Sequence, residues 1–426
     1  MKFTKKLLTS ALCAGLTLAL ALTGCGGQTL NATGDLMAGV RKSSQTAEAD
    51  LAGPGAQAFT GFGLELFRRS MKATPEENVL VSPLSVLSAM AMTANGAGGQ
   101  TLSQMEGVLG LPIDQLRAYL AAYTDSLPSG EKAQFHTANS LWVRDGVMRV
   151  EKDFLQLNAD YFGAGVYQEP FNTSTLEKIN SWVNQHTHEM IPTILDEIDS
   201  QAVLYLINAL AFEAQWEEVY EDLDVREQVF TCQDGQELNV DMMHSWERTY
   251  LEDSEATGFL KYYSGNQYAF AALLPNQGIT LAEYVEGLTA EKLRQVLTNS
   301  SQQDVTAGIP KFQQDYSASL KDLFAQWGMT DAFEPGLADF SPMGNTGSNG
   351  EALYIGDVLH KTYISVFEQG TRAGAVTAVV MESGGAMMNE PKQVVLDRPF
   401  LYMIVDTETF LPIFMGAAYT PLGEAG

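Results

Sequence analysis

The strongest constraint on this chain is the order in which two hydrophobic patterns occur along it. Helical spacing dominates the first part. Phe59, Phe62 and Leu66 recur three and four apart, and Arg68 and Arg69 close that run. Ser82-Pro83 has the chemistry of a helix start, serine as cap and proline at the first helical position. The apolar run through Val86, Leu87 and Met90 then stops at Asn95-Gly96. Thr101 with Gln104, and Ser174 with Glu177, have capping-box spacing. Strand character dominates later: residues 203–212, 269–274, 363–367 and 400–405 are apolar, β-prone and punctuated by Gly, Asn and Pro. Helices early and strands late predict an α+β domain with antiparallel sheets.

Residues 1–24 predict a signal peptide: Lys2, Lys5 and Lys6 precede an apolar stretch over 7–22. Leu22-Thr23-Gly24-Cys25 resembles a bacterial lipobox, in which the chain is cut before Cys25 and the cysteine is lipidated. The alternatives are an uncleaved anchor, for which the run is short of the ~20 residues of a stable span, or a plain signal peptide with Cys25 incidental. Residues 26–55 are rich in Gly, Ala, Thr and Ser and lack apolar periodicity, so 25–55 is expected to be a flexible tether. No later stretch has linker composition and no repeat is visible, so 56–422 is expected to be one domain. Of the three cysteines, Cys13 would leave with the signal and Cys25 would be modified. Cys232 is then alone, and packing rather than disulfides must hold the fold.

Charge and motifs narrow the function. Lys plus Arg number 25 and Asp plus Glu 52, a formal charge of -27. That balance argues against a nucleic-acid partner, whose phosphates need a basic face. It also repels anionic lipid, so a lipid on Cys25 would have to hold the protein at a membrane. There is no G-x-S-x-G elbow and no G-x-x-x-x-G-K loop. Gly96, Gly98 and Gly99 follow a helix, the wrong place for a dinucleotide turn. His186 and His188 fall two apart, on different faces of an expected helix, and are expected to be solvated rather than metal ligands. Neither enzyme chemistry, nor a cofactor, nor a metal is expected.

One segment does not suit an ordinary domain. In residues 368–381, Thr371, Ala373, Ala375, Thr377, Val379 and Met381 would share one face of a strand. None of the six is charged; Arg372 falls on the opposite row. Gly370 precedes them, and 382–389 is loop-like. A buried strand or short helix is one reading. An exposed β-prone segment is the other, and as an aggregation hazard it would need a functional reason.

Short motifs along the chain resemble those of one family, the serpins. Asn78-Val79-Leu80-Val81-Ser82-Pro83-Leu84-Ser85 is similar to the family's helix entry. Leu206-Ile207-Asn208-Ala209-Leu210-Ala211-Phe212 with Trp216 is similar to its central strand. Pro310-Lys311-Phe312, Trp327-Gly328-Met329-Thr330-Asp331-Ala332-Phe333, His360-Lys361, Arg398-Pro399-Phe400 and Phe414-Met415-Gly416 follow in the family's order. The resemblance implies about nine helices and three β-sheets, with an exposed reactive-centre loop at about 368–392. It implies a suicide inhibitor whose loop is cleaved by a protease, held as an acyl-enzyme and inserted into the main sheet. The hinge would be Glu368, Gly370, Thr371, Ala373, Ala375 and Thr377. Ser82, Ser85, Asn208 and His360 would form the shutter beneath the sheet. Arg372, Gly374 and Val376 depart from the usual hinge on the outward row.

Counting from Glu368 places the scissile bond at Gly384-Gly385; counting back from Phe400 favours Met388, with Met387 also a rival. The absence of Arg and Lys between 382 and 389 favours elastase-, chymotrypsin- or subtilisin-like proteases, with cysteine proteases also open. The expected protein is a monomer, lipid-anchored to the outer face of a bacterial membrane. Rivals are a non-inhibitory, binding or chaperone-like serpin and, from another class, a solute-binding lipoprotein with two α/β lobes.

Overall fold

Side-chain alternation along the strand Leu204–Gln215 sets the layers of the molecule. Leu206, Leu210 and Phe212 enter the main core, while Tyr205, Ile207, Ala209 and Ala211 face a second, smaller core under the helix Thr173–His186. The computed structural model describes residues 34–43, 48–127, 133–346, 352–371 and 390–421. Among them are nine α-helices and three sheets of nine, six and two strands. The α+β class and this count agree with the expectation from sequence.

The six-stranded sheet runs Phe312–Ser319, Asp357–Phe367, Gly370–Thr371, Leu204–Gln215, Ala133–Arg144 and Gly165–Glu169. Its inner face packs on the nine-stranded sheet, as where Phe135 lies edge-on to Tyr268 at 4.9 Å. The expectation of antiparallel sheets needs correction, because Leu204–Gln215 pairs parallel with Asp357–Phe367, and Ala133–Arg144 pairs parallel with Gly165–Glu169. Long crossovers, one carrying the helix Lys152–Phe162, supply the connections that parallel neighbours require. Ala133–Arg144 lies in the half expected to be helical. Its polar residues Gln134, His136, Asn139 and Ser140 hide the strand pattern.

The caps divide. Ser82 caps the helix Pro83–Ala94 by accepting from the Ser85 N–H, as expected. Thr101 and Gln104 do not form a box, because the helix Gly99–Leu109 begins earlier, at Gly98. Their side chains accept from the Asp339 and Asp331 N–H groups and hold a distant loop instead. In the helix Thr173–His186 the box is Asn172 with Thr175, not Ser174 with Glu177. That helix stops at His186, so His188 lies beyond it rather than on another of its faces.

The tether reading also needs correction over 34–43. Leu36 N–H donates to Val166 O and Gln168 N–H to Gly34 O, both at 2.9 Å, and Asp35 bridges Tyr167. This segment pairs antiparallel along the outer strand of the main sheet, covering an edge otherwise open to association. Leu36, Met37 and Val40 pack on the main core, Lys42 pairs with Asp125 at 3.1 Å, and Ser43 N–H donates to Asp160. A side chain at position 34 would put its Cβ 1.8 Å from Gln168 O, so glycine permits the approach. Cys25 lies outside the described residues.

Deleting residues 1–43 should lower the thermal unfolding midpoint. The strap's backbone hydrogen bonds and apolar packing together contribute about 2–4 kcal/mol. An unchanged midpoint by circular dichroism would show that the strap contributes nothing to the fold.

Candidate functional site

The strands Leu204–Gln215 and Asp357–Phe367 pair in parallel from Tyr205↔Asp357 to Ala211↔Tyr363, then diverge. Into the fork comes the chain itself. It reverses at Glu368-Gln369, and Gly370–Thr371 forms a two-residue strand between them, antiparallel to both. Its partners are Gln215 and Ala214 on one side, Phe367 and Val366 on the other. Gly370 has φ 148°, and a β-carbon there would lie 2.1 Å from Ala214 O. Only glycine suits that position. Thr371 is fully buried and its hydroxyl shares a 2.7 Å hydrogen bond with Tyr263 Oη. Thus Gly370 and Thr371 sit as the alternation suggested, with Thr371 inward. Ala373, Ala375, Thr377, Gly384, Gly385, Met387 and Met388 lie outside the described residues.

The turn that makes the wedge is clamped. Lys311 Nζ reaches Glu368 Oε1 at 2.8 Å and Asp241 at 3.3 Å. The hydrogen bond from Lys311 to Glu368 raises the Lys311 pKa, with partial burial opposing it. Tyr220 N–H donates to Glu368 O and Trp216 N–H to Gln369 O, each at 3.0 Å. The Trp216 indole donates to Phe367 O at 2.9 Å and stacks on Tyr263 with centroids 4.4 Å apart. Behind this wall, buried Lys261 pairs with Glu247 at 3.0 Å and lies 4.4 Å from the Tyr220 ring centre. Burial alone would lower the Lys261 pKa, but Glu247 and Tyr220 outweigh it and raise it. Lys311 and Trp216 stand in motifs quoted above, yet no sequence signal gave them this role. Tyr263 and Lys261 had no signal at all.

Under the parallel seam lies a polar cluster. His360 and Asn208 are directly opposite in register, as are Asn208 and Asn139 on the next strand. Ser82 N–H donates to His360 Nε2 at 3.2 Å, which leaves Nδ1 to donate to Asn208 Oδ1 at 2.5 Å. Asn208 Nδ2 in turn donates to Ser85 Oγ at 2.6 Å and to Asn139 Oδ1 at 2.7 Å. Ser82 Oγ donates to Ile413 O of the second sheet. The four residues chosen from sequence therefore meet in one network, with Asn139 as a fifth member. Asn139 was missed because its strand was not recognised. Burial pushes the His360 pKa down to about 3, so its imidazole is neutral at physiological pH.

Over the seam runs the segment after the helix Thr173–His186, where Lys361 Nζ donates to Thr193 O at 2.8 Å, and over Ala133–Arg144 sits the helix itself. Its core spans Ala138, Trp142, Ala209 and Ala211 on one side, with Leu359 and Tyr363 on the other. A strand entering the seam would have to break the His360–Asn208 bond below it and shift the segment around Thr193 above it.

A protein-family model described as serpin (serine protease inhibitor) matches residues 57–421. The chain is a serpin. It is 32% identical to an uncharacterized serpin-like protein of Thermococcus kodakarensis over 86% of each chain. It is 29% identical to plasminogen activator inhibitor 1 of Bos taurus, over 88% of this chain and 93% of that one. Among solved structures, the thermophilic serpin tengpin in its native state is 42% identical with a TM-score of 0.86, covering 91% of this chain and 99% of that one. Tengpin in its latent state aligns at a TM-score of 0.76, covering 87% and 98%. The family description and the name of the bovine relative both specify protease inhibition.

The buried His360 carries a pH signature. Its folded pKa lies below its unfolded value of about 6.5, so the unfolded state binds more protons between the two. Stability from this group is complete above about pH 6.5 and falls by about 1.4 kcal/mol per unit as pH drops towards 3. Urea unfolding at pH 7.5 and 5.0 should show about 2 kcal/mol of acid loss that His360→Gln lacks. Equal losses in both proteins would remove His360 from the network's energetics.

Proposed function

We propose that this serpin is a suicide inhibitor of extracellular serine proteases that traps its target by completing the strand begun at Gly370–Thr371. The observation that carries this reading is that two-residue wedge at the mouth of a parallel seam. Continuing both registers antiparallel sets Ala373 opposite Phe212 and Ala375 opposite Leu210. It sets Thr377 opposite both Asn208 and His360. The inward row thus brings small neutral side chains over the large core residues, and a hydroxyl to the point where the His360–Asn208 bond must break. Insertion replaces one parallel ladder with two antiparallel ones, and no charge is buried on the inward row. Arg372, Gly374 and Val376 take the outward row.

The chemistry belongs to the protease. Its serine Oγ attacks the scissile carbonyl, the peptide bond breaks, an ester joins the protease to the upstream part, and the downstream part takes the proton as a new amino terminus while its strands Lys392–Val395, Phe400–Asp406 and Pro412–Ala418 keep it in the nine-stranded sheet. Before cleavage the loop is tied at both ends, to Thr371 and to the strand Lys392–Val395. Cleavage frees the upstream part to enter the seam with the enzyme attached. Spacing favours Gly384-Gly385 as the bond, with Met387 and Met388 as rivals, and elastase-, chymotrypsin- or subtilisin-like enzymes as targets. Glu368, Gly370, Thr371, Ala373, Ala375 and Thr377 act as hinge; Ser82, Ser85, Asn208 and His360, joined by Asn139, act as shutter. The greater likeness to native than to latent tengpin supports an uninserted, ready sheet. The protein itself is no enzyme, works as a monomer, and is held by lipid on Cys25 at the outer face of a bacterial membrane.

Incubation with elastase, chymotrypsin, trypsin and subtilisin should give an SDS-stable complex with at least one non-tryptic enzyme. Amino-terminal sequencing of the downstream peptide, separated by denaturation, then locates the bond. Thr377→Arg should still be cleaved but form about tenfold less complex, because it buries a charge beside His360 and Asn208. Cleavage without complex in the wild type would favour the non-inhibitory reading. Undiminished trapping by Thr377→Arg would refute the insertion register.

A further inference from the structure

The strand Glu237–Glu252 serves two faces over residues 244–248. Ser245 and Glu247 turn inward, to the wall behind the hinge. The Ser245 hydroxyl lies 3.3 Å from Tyr220 Oη and donates to Glu247 Oε1 at 2.6 Å, and Glu247 pairs with Lys261. His244, Trp246 and Arg248 alternate to the other side. Trp246 is 52% exposed there, and Arg248 beside it is exposed too. Strand pairing carries this face across the sheet, with Trp246 opposite Thr306 and Thr306 opposite Gln393. Gln393 belongs to Lys392–Val395, the strand that ties the downstream end of the loop. Trp246 therefore stands two strand spacings, about 10 Å, from that tie. It is also back to back with the wall that fixes the upstream turn.

The fold makes no use of the indole. Among the described residues it stacks on no ring and donates no hydrogen bond. A single exposed apolar side chain is ordinary; its company here is not. Among the described residues, neither Arg248 nor Lys392 has a carboxylate within 4.0 Å, and Lys392 lies 5.2 Å from the Tyr250 ring centre. The carboxylates of the same strand are engaged elsewhere, Glu247 with Lys261 and Glu252 with the Tyr250 hydroxyl. A chain of formal charge -27 thus surrounds one exposed aromatic ring with unneutralised cations. Tryptophan and arginine are the residue types that most often dominate binding energy at interfaces.

We propose that Trp246, with Arg248 and Lys392 at its rim, is a second contact surface for the target protease, taking an apolar patch bordered by a carboxylate outside that enzyme's catalytic cleft. Reach selects this occupant. Gln393 is eight residues past Gly385 and five past Met388, at most about 28 Å of extended chain. A protease of about 200 residues is about 40 Å across, so an enzyme holding either bond stands within its own diameter of Trp246. A carboxylate on that enzyme meets cations that this chain leaves unpaired. The surface acts before cleavage, raising the affinity of encounter without entering the insertion step. It names a further feature of the partner in the inhibitor reading and rests on that reading for its use, but docking is measured without trapping.

Elastase, chymotrypsin and subtilisin, each with its catalytic serine replaced by alanine, are titrated against the full chain, so that docking is read without acylation. Trp246→Ala and Arg248→Glu should each weaken the tightest of these by about tenfold, with unchanged thermal midpoints. Leu337→Ala removes a comparably exposed side chain outside this sheet and should bind as wild type. With the active enzyme, Trp246→Ala should slow complex formation about tenfold and leave the number of inhibitor molecules consumed per enzyme unchanged. No docking of any enzyme, an affinity within about twofold of wild type for Trp246→Ala, or an equal loss in Leu337→Ala overturns the surface. So does a wild-type dimer in sedimentation that Trp246→Ala dissolves while protease affinity is retained, which assigns the face to a second copy. Docking that depends on Trp246 in a protein cleaved without trapping keeps the surface and removes only the inhibitor reading. Trapping with docking independent of Trp246 does the reverse.

Discussion

The parallel ladder between Leu204–Gln215 and Asp357–Phe367 is the interaction on which the rest of the structure depends. It is a tolerable pairing rather than the best the chain can make. Parallel pairs are slightly less stable per residue than antiparallel ones, and Gly370–Thr371 already pairs antiparallel with both strands at one end. The wedge stops where the strands close behind it at Ala211↔Tyr363. The sheet is thus held with a partly filled fork, and the chain that could fill it is attached at that point.

What keeps the fork closed is distributed over several layers. At its mouth, Trp216, Tyr220 and Lys311 fix the turn through main-chain and carboxylate contacts. Above the sheet, the helix Thr173–His186 and the segment after it share a core with strands from both sides of the seam. Beneath it, His360 and Asn208 are joined across the seam itself. At the outer edge, the 34–43 strap ties Gly165–Glu169 to helices that do not belong to the sheet. Among the described residues Cys232 is free and buried, and no disulfide crosses any of these contacts. All of them can be broken and remade without covalent change.

Much of this was legible in the sequence, and the reasons for the rest are physical. Gly370 and the neutral row from Thr371 onwards stand out because strand alternation is local. Ser82 and Ser85 were visible as a helix start, and Asn208 and His360 through the family's motifs. Asn139 and His136 were not, since a strand with polar groups on both faces lacks the two-residue hydrophobic period. Thr101 and Gln104 had the spacing of a cap and were used for tertiary contacts instead. The strap was hidden by composition: Gly34 and its small neighbours resemble a linker until an exposed strand edge supplies their partners.

The polar cluster under the seam is better understood as a barrier than as a source of stability. Apolar groups of the same shape in place of a buried hydrogen-bonded pair are often nearly neutral in static stability. What such a replacement would lose is the difference between the ends of the path and its middle. Before opening, His360 and Asn208 satisfy each other. In the insertion proposed above, a full strand in register would bring the Thr377 hydroxyl between them. Halfway, with the strands parted and no third strand in place, both are buried and unpaired, at about 1–3 kcal/mol each. A partial, spontaneous opening therefore climbs the whole penalty without reaching its compensation. Strand entry as far as Thr377 would recover it. A gate of this kind would discriminate by completeness of insertion, which is the property the proposed trap needs in order to wait for cleavage.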